Sequence, residues 1–301
     1  MQRALTHSAG VVNAPDTVVS PVASSLQTAP DLAALRRRQQ AGWACGDLSV
    51  IDGALQIVGE NLVEAVNLRA GETVLDVAAG CGNATLAAAR RFAHITSTDQ
   101  VATWLDKGRE RARAESLPVS FQVADAESLP FADASFDVVL SSFGAMYAIE
   151  PARAAREMQR VLRPNGRIGL TCWTPEGLFG RLLRLIGQHV PSPAGLPSPA
   201  LWGRSSHLAA LFEVAPAQIR CRRRDFHFRY RSAAHWVQVF RDFHGPLHKT
   251  FAALDAAGQQ ALERDLTALL EAMNAAGETT LVARAEYLEA VITTSNPRPR
   301  K

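Results

Sequence analysis

The sequence predicts an α/β fold built on a doubly wound, mostly parallel sheet with helices on both faces. Three observations carry this. From Glu72 to Trp173, short apolar runs alternate with helix-length segments, as repeated βαβ units do. The run Thr73-Val74-Leu75-Asp76-Val77-Ala78 leads through Gly80 and Gly82 directly into a helical segment. Acidic residues, Asp76, Asp99 and Asp125, stand at the ends of three successive runs.

In chain order, residues 1–28 lack any period and read as a flexible tail. Asp31 is placed to cap a helix running into Arg36-Arg37-Arg38, and a second helical pattern covers 50–66. Strands are expected at 73–78, 94–98, 119–123, 136–141 and 168–173, with helices at 84–92, 102–114 and 151–161, the last closed by Arg163-Pro164-Asn165-Gly166. Prolines at 191, 193, 197 and 199 then mark a loop or broken helix. It follows a strand end, where open α/β sheets bind ligands, so 175–216 is expected to form a lid.

Residues 219–230 read as a strand with Phe226, Phe228 and Tyr230 on one face. The apolar parity shifts after Cys221, which predicts a bulge near Arg224. Helices at 232–243 and 257–274 and a last strand at 287–293 complete the sheet, and the tail from Asn296 is expected to be disordered. The divisions are a tail (1–28), a helical cover (29–70), a ligand-binding core (71–174), a lid (175–216), the last strands with inserted helices (217–294) and a tail (295–301).

Composition narrows the function. With 301 residues, 47% of them apolar, the chain can bury a full core without staples. Cys45, Cys81, Cys172 and Cys221 fall singly, with no histidine at ligand spacing, so neither structural zinc nor a disulfide framework is expected. A reducing, cytoplasmic setting follows. No run approaches about 18 apolar residues, and the N-terminus lacks the apolar block of a secretory signal. A net charge of +3 is too small to imply nucleic acid, and Arg222, Arg223, Arg224, Arg229 and Arg231 read as a charged edge strand.

The strand–glycine loop–helix unit lets backbone approach a ligand and offers free N–H groups at a helix start. A dinucleotide site would place a third glycine where Thr85 stands. The Asp76 carboxylate would also repel a pyrophosphate, whereas it favours a sulfonium and an α-amino group. Asp99 is placed to accept both hydroxyls of a ribose. Asp125 and Ala126 follow the third strand, where an acid and a backbone N–H can meet an adenine.

Together with Phe136-Asp137-Val138-Val139 and Arg163-Pro164-Asn165-Gly166-Arg167, this constellation resembles the class I S-adenosylmethionine-dependent methyltransferases. The closer likeness is to the type 11 branch, related to the ubiquinone/menaquinone C-methyltransferases. The resemblance covers about residues 40–175 and implies a Rossmann-like seven-stranded sheet. It also implies S-adenosylmethionine as cofactor, S-adenosylhomocysteine as product, and no metal. It assigns Asp76, Gly80 and Gly82 to the methionine part of the cofactor, Asp99 to the ribose, and Gln100, Asp125 and Ala126 to the adenine. Ser141, Ser142 and Phe143 match the segment facing the methionyl chain. Ala78 departs from the family's usual glycine but is small enough for the loop. Trp43 and Asp47 match an N-terminal segment folding over the cofactor; the plainer reading is that Trp43 anchors a helix.

A methyl acceptor must be aligned and kept dry, and a general base is needed only if it must lose a proton. His189, His235, His244, His248 and Tyr147 are the candidates for that base, histidine because its ordinary pKa lies near neutrality. His244 and His248 would share a helix face unless Pro246 breaks the helix. The aromatic content after Trp173 predicts a largely apolar acceptor pocket. The expected activity is methyl transfer to a small apolar or aromatic metabolite, at carbon, oxygen or nitrogen, with no nucleic-acid or membrane partner and a homodimer left open. Alternatives are a non-catalytic S-adenosylmethionine-binding protein, a nicotinamide-dependent oxidoreductase and an RNA methyltransferase using the arginine-rich strand.

Overall fold

The computed structural model describes residues 31–191, 196–215 and 218–293. The tails expected at 1–28 and 295–301, and Pro193 of the proline stretch, lie outside the described residues. The chain opens with helices α1 (Leu32–Trp43), α2 (Ser49–Asp52) and α3 (Gln56–Ala65). Asp31 caps α1, accepting from Ala34 N at 3.0 Å. The helix expected over 50–66 is broken by a 3-10 turn at Gly53–Leu55.

The alternating region follows the predicted order: β1 (Thr73–Val77), α4 (Asn83–Ala89), β2 (His94–Asp99), α5 (Ala102–Ala114), β3 (Val119–Val123), β4 (Phe136–Ser142), α6 (Pro151–Val161) and β5 (Leu162–Trp173). Then come α7 (Leu178–His189), α8 (Ser205–Leu211), β6 (Ile219–Tyr230), α9 (Ala233–Phe243), α10 (Gly245–Ala252), α11 (Ala256–Ala272) and β7 (Leu281–Thr293). The expected turn at Arg163–Gly166 survives as an irregular start to β5: Asn165 has φ +64°, and the register with β4 shifts between Phe136 and Val138.

The seven strands lie in the order β3-β2-β1-β4-β5-β7-β6. Pairs among β1 to β5 are parallel, while β7 is antiparallel to both β5 and β6. The central strands are apolar runs because both faces are covered. Val74, Val138 and Leu140 pack toward α3 and α4, and Leu75, Val77 and Val139 pack on the opposite face with Met158 and Val161 of α6. Between β1 and β4 the strand order reverses, which opens a crevice at the carboxyl ends of the strands.

Three expectations are corrected here. The β6–β7 register is continuous through Arg224↔Tyr287, so there is no bulge. The parity shift arises instead because Ile219 and Cys221 face one side of the sheet and Phe226, Phe228 and Tyr230 the other. The last strand also begins at Leu281, six residues before the predicted start, because Ala283 and Ala285 pair opposite Phe228 and Phe226, small against large. The described residues of 175–216 brace the sheet rather than cover the crevice. Trp202 is 1% exposed, packed edge-on to Phe212, and of the described residues in this stretch only Phe179 reaches the cleft. Among the described residues the cover comes instead from α1 and from α9 with His244 at its end, inserted between β6 and β7.

Candidate functional site

A cleft enclosing about 1220 Å³, its open mouth included, lies over the carboxyl ends of β1, β2 and β4. One end is lined by carboxylates and backbone, the other by aromatic rings.

At the polar end, Asp99 is 3% exposed. Its Oδ2 accepts from Gly80 N and its Oδ1 from Val101 N, both at 2.9 Å. These bonds shape the glycine loop and leave further lone pairs open to a ligand. Burial pushes its carboxyl up to about 6. Asp52, from α2, reaches the same loop: Cys81 N donates to its Oδ2 at 3.2 Å and Asn83 Nδ2 to its carbonyl at 2.8 Å. Burial raises this carboxyl to about 6 as well. Gln100, Asp125 and Ala126 line the adjoining wall, where Asp125 Oδ1 accepts from Glu127 N at 2.9 Å.

Helix α1 closes this end with polar contacts; none of its residues is buried. Arg36 Nε donates to Glu127 Oε2 at 3.0 Å, and its Nη2 also bonds Glu127 and Glu150. Gln39 donates to Tyr147 O at 2.8 Å and Gln40 to Gln100 O at 2.7 Å.

The aromatic end is continuous. Phe143 stacks on Trp173 at 3.8 Å and 6°, and Trp173 on Phe179 at 4.3 Å and 13°. Phe240 stands 6.3 Å from Phe179 and 5.6 Å from His244. Trp43 meets His244 at 5.4 Å and Tyr147 at 4.8 Å, each edge-on. Burial pushes His244 down to about 4 and holds the Tyr147 hydroxyl well above its ordinary pKa. Both groups are therefore neutral at pH 7.

Two residues with strained backbone stand where the two ends meet. Ala78 (φ +52°) and Phe143 (φ +58°) occupy the left-handed region, which costs a non-glycine residue about 1–2 kcal/mol. Ala78 fits only because its neighbour is Gly144: a Cβ there would stand 2.1 Å from Ala78 O and 2.6 Å from Ala78 Cβ. The departure from the family's glycine is thus accommodated across the cleft floor.

Of the residues singled out in the sequence, Trp43, Ala78, Gly80, Asp99, Gln100, Asp125, Ala126, Ser142, Phe143, Tyr147 and His244 line this cleft. Asp76 and Gly82 lie behind it. Asp76 is 1% exposed and accepts from Thr85 Oγ1 at 2.6 Å; Gly82 (φ +84°) starts α4. Ser141 also turns inward, donating to Val77 O at 2.7 Å, and Asp47 accepts from Ser49 N at 3.1 Å.

Three base candidates are corrected. His189 Nε2 pairs with Asp265 at 2.8 Å outside the cleft. His248 is exposed, with Nδ1 3.2 Å from Arg241 O. His235 accepts from Arg231 N at 3.3 Å beside a surface groove. Sequence reasoning missed Arg36, Gln39, Asp52, Trp173, Phe179 and Phe228, while Phe240 belongs to the aromatic content that predicts the acceptor pocket. Nothing in the sequence separates Asp52 from Glu60 and Glu64 of the same 50–66 pattern. Among the described residues no group of side chains could hold a metal ion, and no helix is long and apolar enough to cross a membrane.

A family model described as a methyltransferase domain matches residues 75–170. A relative from Mycobacterium tuberculosis, itself called an uncharacterized protein, is 38% identical over 234 residues, which covers 77% of this chain and 85% of the relative. A demethylmenaquinone methyltransferase of Deinococcus radiodurans is 40% identical over 121 residues, covering 39% of this chain and 50% of that protein. Among solved structures, the YcgJ protein from Bacillus subtilis superposes with a TM-score of 0.54 at 19% identity, over 79% of this chain and 98% of that one.

Proposed function

Because the chain belongs to the class I S-adenosylmethionine-dependent methyltransferases, in the branch of the ubiquinone/menaquinone C-methyltransferases, we propose that its methyl acceptor is a small aromatic or largely apolar metabolite. The observation that carries this reading is the unbroken aromatic wall from Phe143 through Trp173 and Phe179 to Phe240, in the same cleft as Asp99 and Gly80.

The residues at the polar end fit the cofactor. Asp52, Asp99 and Asp125 suit a cation bearing ribose hydroxyls and an adenine amine, and they would repel the pyrophosphate of a dinucleotide. Asp99 would accept the ribose hydroxyls with the lone pairs its two backbone bonds leave free. Asp125, Ala126 and Gln100 would meet the adenine, and Gly80, Ser142 and Phe143 the methionyl chain. Bound there, the cofactor supplies an electrophilic methyl group on a sulfonium. The chain's own part is to hold the acceptor flat against the aromatic rings and exclude water, with α1 across the mouth. Alignment of that kind is worth about 7–11 kcal/mol in favourable cases.

An acceptor rich in phosphate or carboxylate finds no cation at the aromatic end among the described residues. The arginines of β6 are largely engaged: Arg220 donates to Ala65 O, and Arg223 and Arg224 pair with Glu286 and Glu289. That favours a small-molecule acceptor over RNA.

Calorimetric titration tests the cofactor assignment. S-adenosylhomocysteine should bind the wild type, and Asp99→Asn should weaken it roughly 10–100-fold, as loss of charge-assisted hydrogen bonds does. Unchanged affinity in that variant, or no binding by the wild type, would overturn it. Labelled-methyl transfer across phenols, hydroquinones, sugars and phosphorylated metabolites tests the acceptor class, with product expected only from the first two.

A further inference from the structure

Which nitrogen of His244 carries the proton decides what this residue can do. His244 is the extended residue between α9 and α10, and its ring caps α10: Leu247 N donates to Nδ1 at 3.3 Å. A backbone N–H can only donate, so in the neutral imidazole Nδ1 is the acceptor and the proton resides on Nε2. The ring lies between Trp43 and Phe240 and faces the cleft. Among the described residues no hydrogen bond engages Nε2. A base needs a free lone pair, and the lone pair of this ring is already committed to Leu247 N.

We propose that His244 is a hydrogen-bond donor, through Nε2–H, to an oxygen on the aromatic acceptor, which binds as its phenolate or enolate. This rests on the acceptor reading given above and narrows it to aromatic compounds with an ionisable hydroxyl or enolisable carbonyl. The acceptor's proton leaves to solvent as it binds, so no protein base is required. The donated hydrogen bond favours the anion over the neutral form and fixes the ring against the aromatic wall. Burial holds His244 neutral at pH 7, so it supplies a dipole without a competing positive charge at the end of the cleft that faces the sulfonium site. Tyr147, also edge-on to Trp43, keeps its hydroxyl protonated.

Two measurements on the full chain test this. Long-range proton–nitrogen correlation spectra of protein with 15N-labelled histidine should show His244 with its proton on Nε2 and no titration from pH 5.5 to 8. A proton on Nδ1, or titration near 6.5, would overturn the proposal. The second uses 4-nitrophenol as probe with S-adenosylhomocysteine present, following phenolate absorbance against pH in the wild type and in His244→Asn. Asparagine can still cap α10 through its side-chain oxygen, so the fold is retained while the Nε2 donor is lost. The bound probe should ionise about one pH unit lower in the wild type than in the variant, a tenfold preference for phenolate. Binding to both with identical ionisation sinks the donor role alone. Failure of the probe to bind either protein sinks the aromatic-acceptor reading, and the proposal with it.

Discussion

Asp76 stands at the end of β1 with one carboxylate oxygen bonded to Thr85 Oγ1 and the other, Oδ1, buried without a partner. Burial pushes its carboxyl from the ordinary 3.8 up to about 7, with the Asp99 and Asp52 charges adding to the rise. A carboxyl whose pKa is raised in the folded protein holds its proton more tightly folded than unfolded. Its cost to stability is therefore absent below about pH 4, grows as pH climbs toward 7, and is constant above. At saturation it amounts to at most about 4 kcal/mol, and between pH 5 and 8 it grows by about 2–3 kcal/mol. Asp76→Asn removes this pH-dependent cost. The amide leaves an unbonded donor where Oδ1 was, a cost of about 1–3 kcal/mol at every pH. Asp52 and Asp99 remain in both proteins and largely cancel. Urea unfolding of the cofactor-free chain in half-unit steps from pH 5 to 8 should therefore show the variant gaining on the wild type by about 2–3 kcal/mol, whatever the offset at pH 5. Parallel stability curves would refute the reasoning and mean that Asp76 is solvated or partnered in solution.

Other contacts give sharp expectations. Gly144→Ala should lose at least about 1–3 kcal/mol by denaturant midpoint, because the new Cβ meets the Ala78 backbone at 2.1 Å. Ala78→Gly relieves the left-handed strain but frees the unfolded chain, so it should stabilise by up to about 1 kcal/mol; a loss exceeding 1 kcal/mol would show that the Ala78 methyl matters more than its φ. Arg36→Ala removes the bonds from α1 to Glu127 and Glu150, and stopped-flow release of S-adenosylhomocysteine should accelerate about tenfold, whereas an unchanged rate would mean that α1 does not gate the mouth. His189→Ala, outside the cleft against Asp265, should leave methyl transfer within about twofold of wild type, with a collapse of turnover as the contrary result.

The parallel half of the sheet was legible because its signals are local. A strand buried on both faces reads as an apolar run, and a glycine pair before a helix reads as a ligand loop; β3, α5 and α6 fall on their predicted residues. Asp99 and Asp125 were legible for the same reason, since a strand end fixes where an acid sits. What failed depends on partners distant in sequence. The start of β7 has only Ala283 and Ala285 to show, and their strand character comes from Phe226 and Phe228 across the ladder. Asp76 matches the loop motif, yet Thr85 and Ser97 enclose it behind the strand. The aromatic wall was anticipated only as composition. Trp202 and Phe212 are as aromatic as Trp173 and Phe179, but the first two pack together in the core while the latter two line the cleft.

The histidines make the same point at one residue. His189, His244 and His248 are equivalent by residue type, and in the sequence the break at Gly245-Pro246 bears only on whether two of them share a face. That break is what places His244. It ends α9 at Phe243, turns His244 into the extended cap of α10, and seats Gly245 where a Cβ would stand 2.2 Å from Cys45 O and 2.2 Å from Gly42 O. Gly46 reciprocates: at φ +99° its Cβ would lie 2.6 Å from Phe243 O. Two glycines about two hundred residues apart thus let the end of α1 and the α9–α10 junction meet backbone to backbone. Any side chain at either position forces the segments apart, and with them the 5.4 Å contact between the Trp43 and His244 rings. A helix break near a histidine is therefore more informative than the histidine, because the break supplies the cap that fixes the tautomer and the close approach that aims the ring.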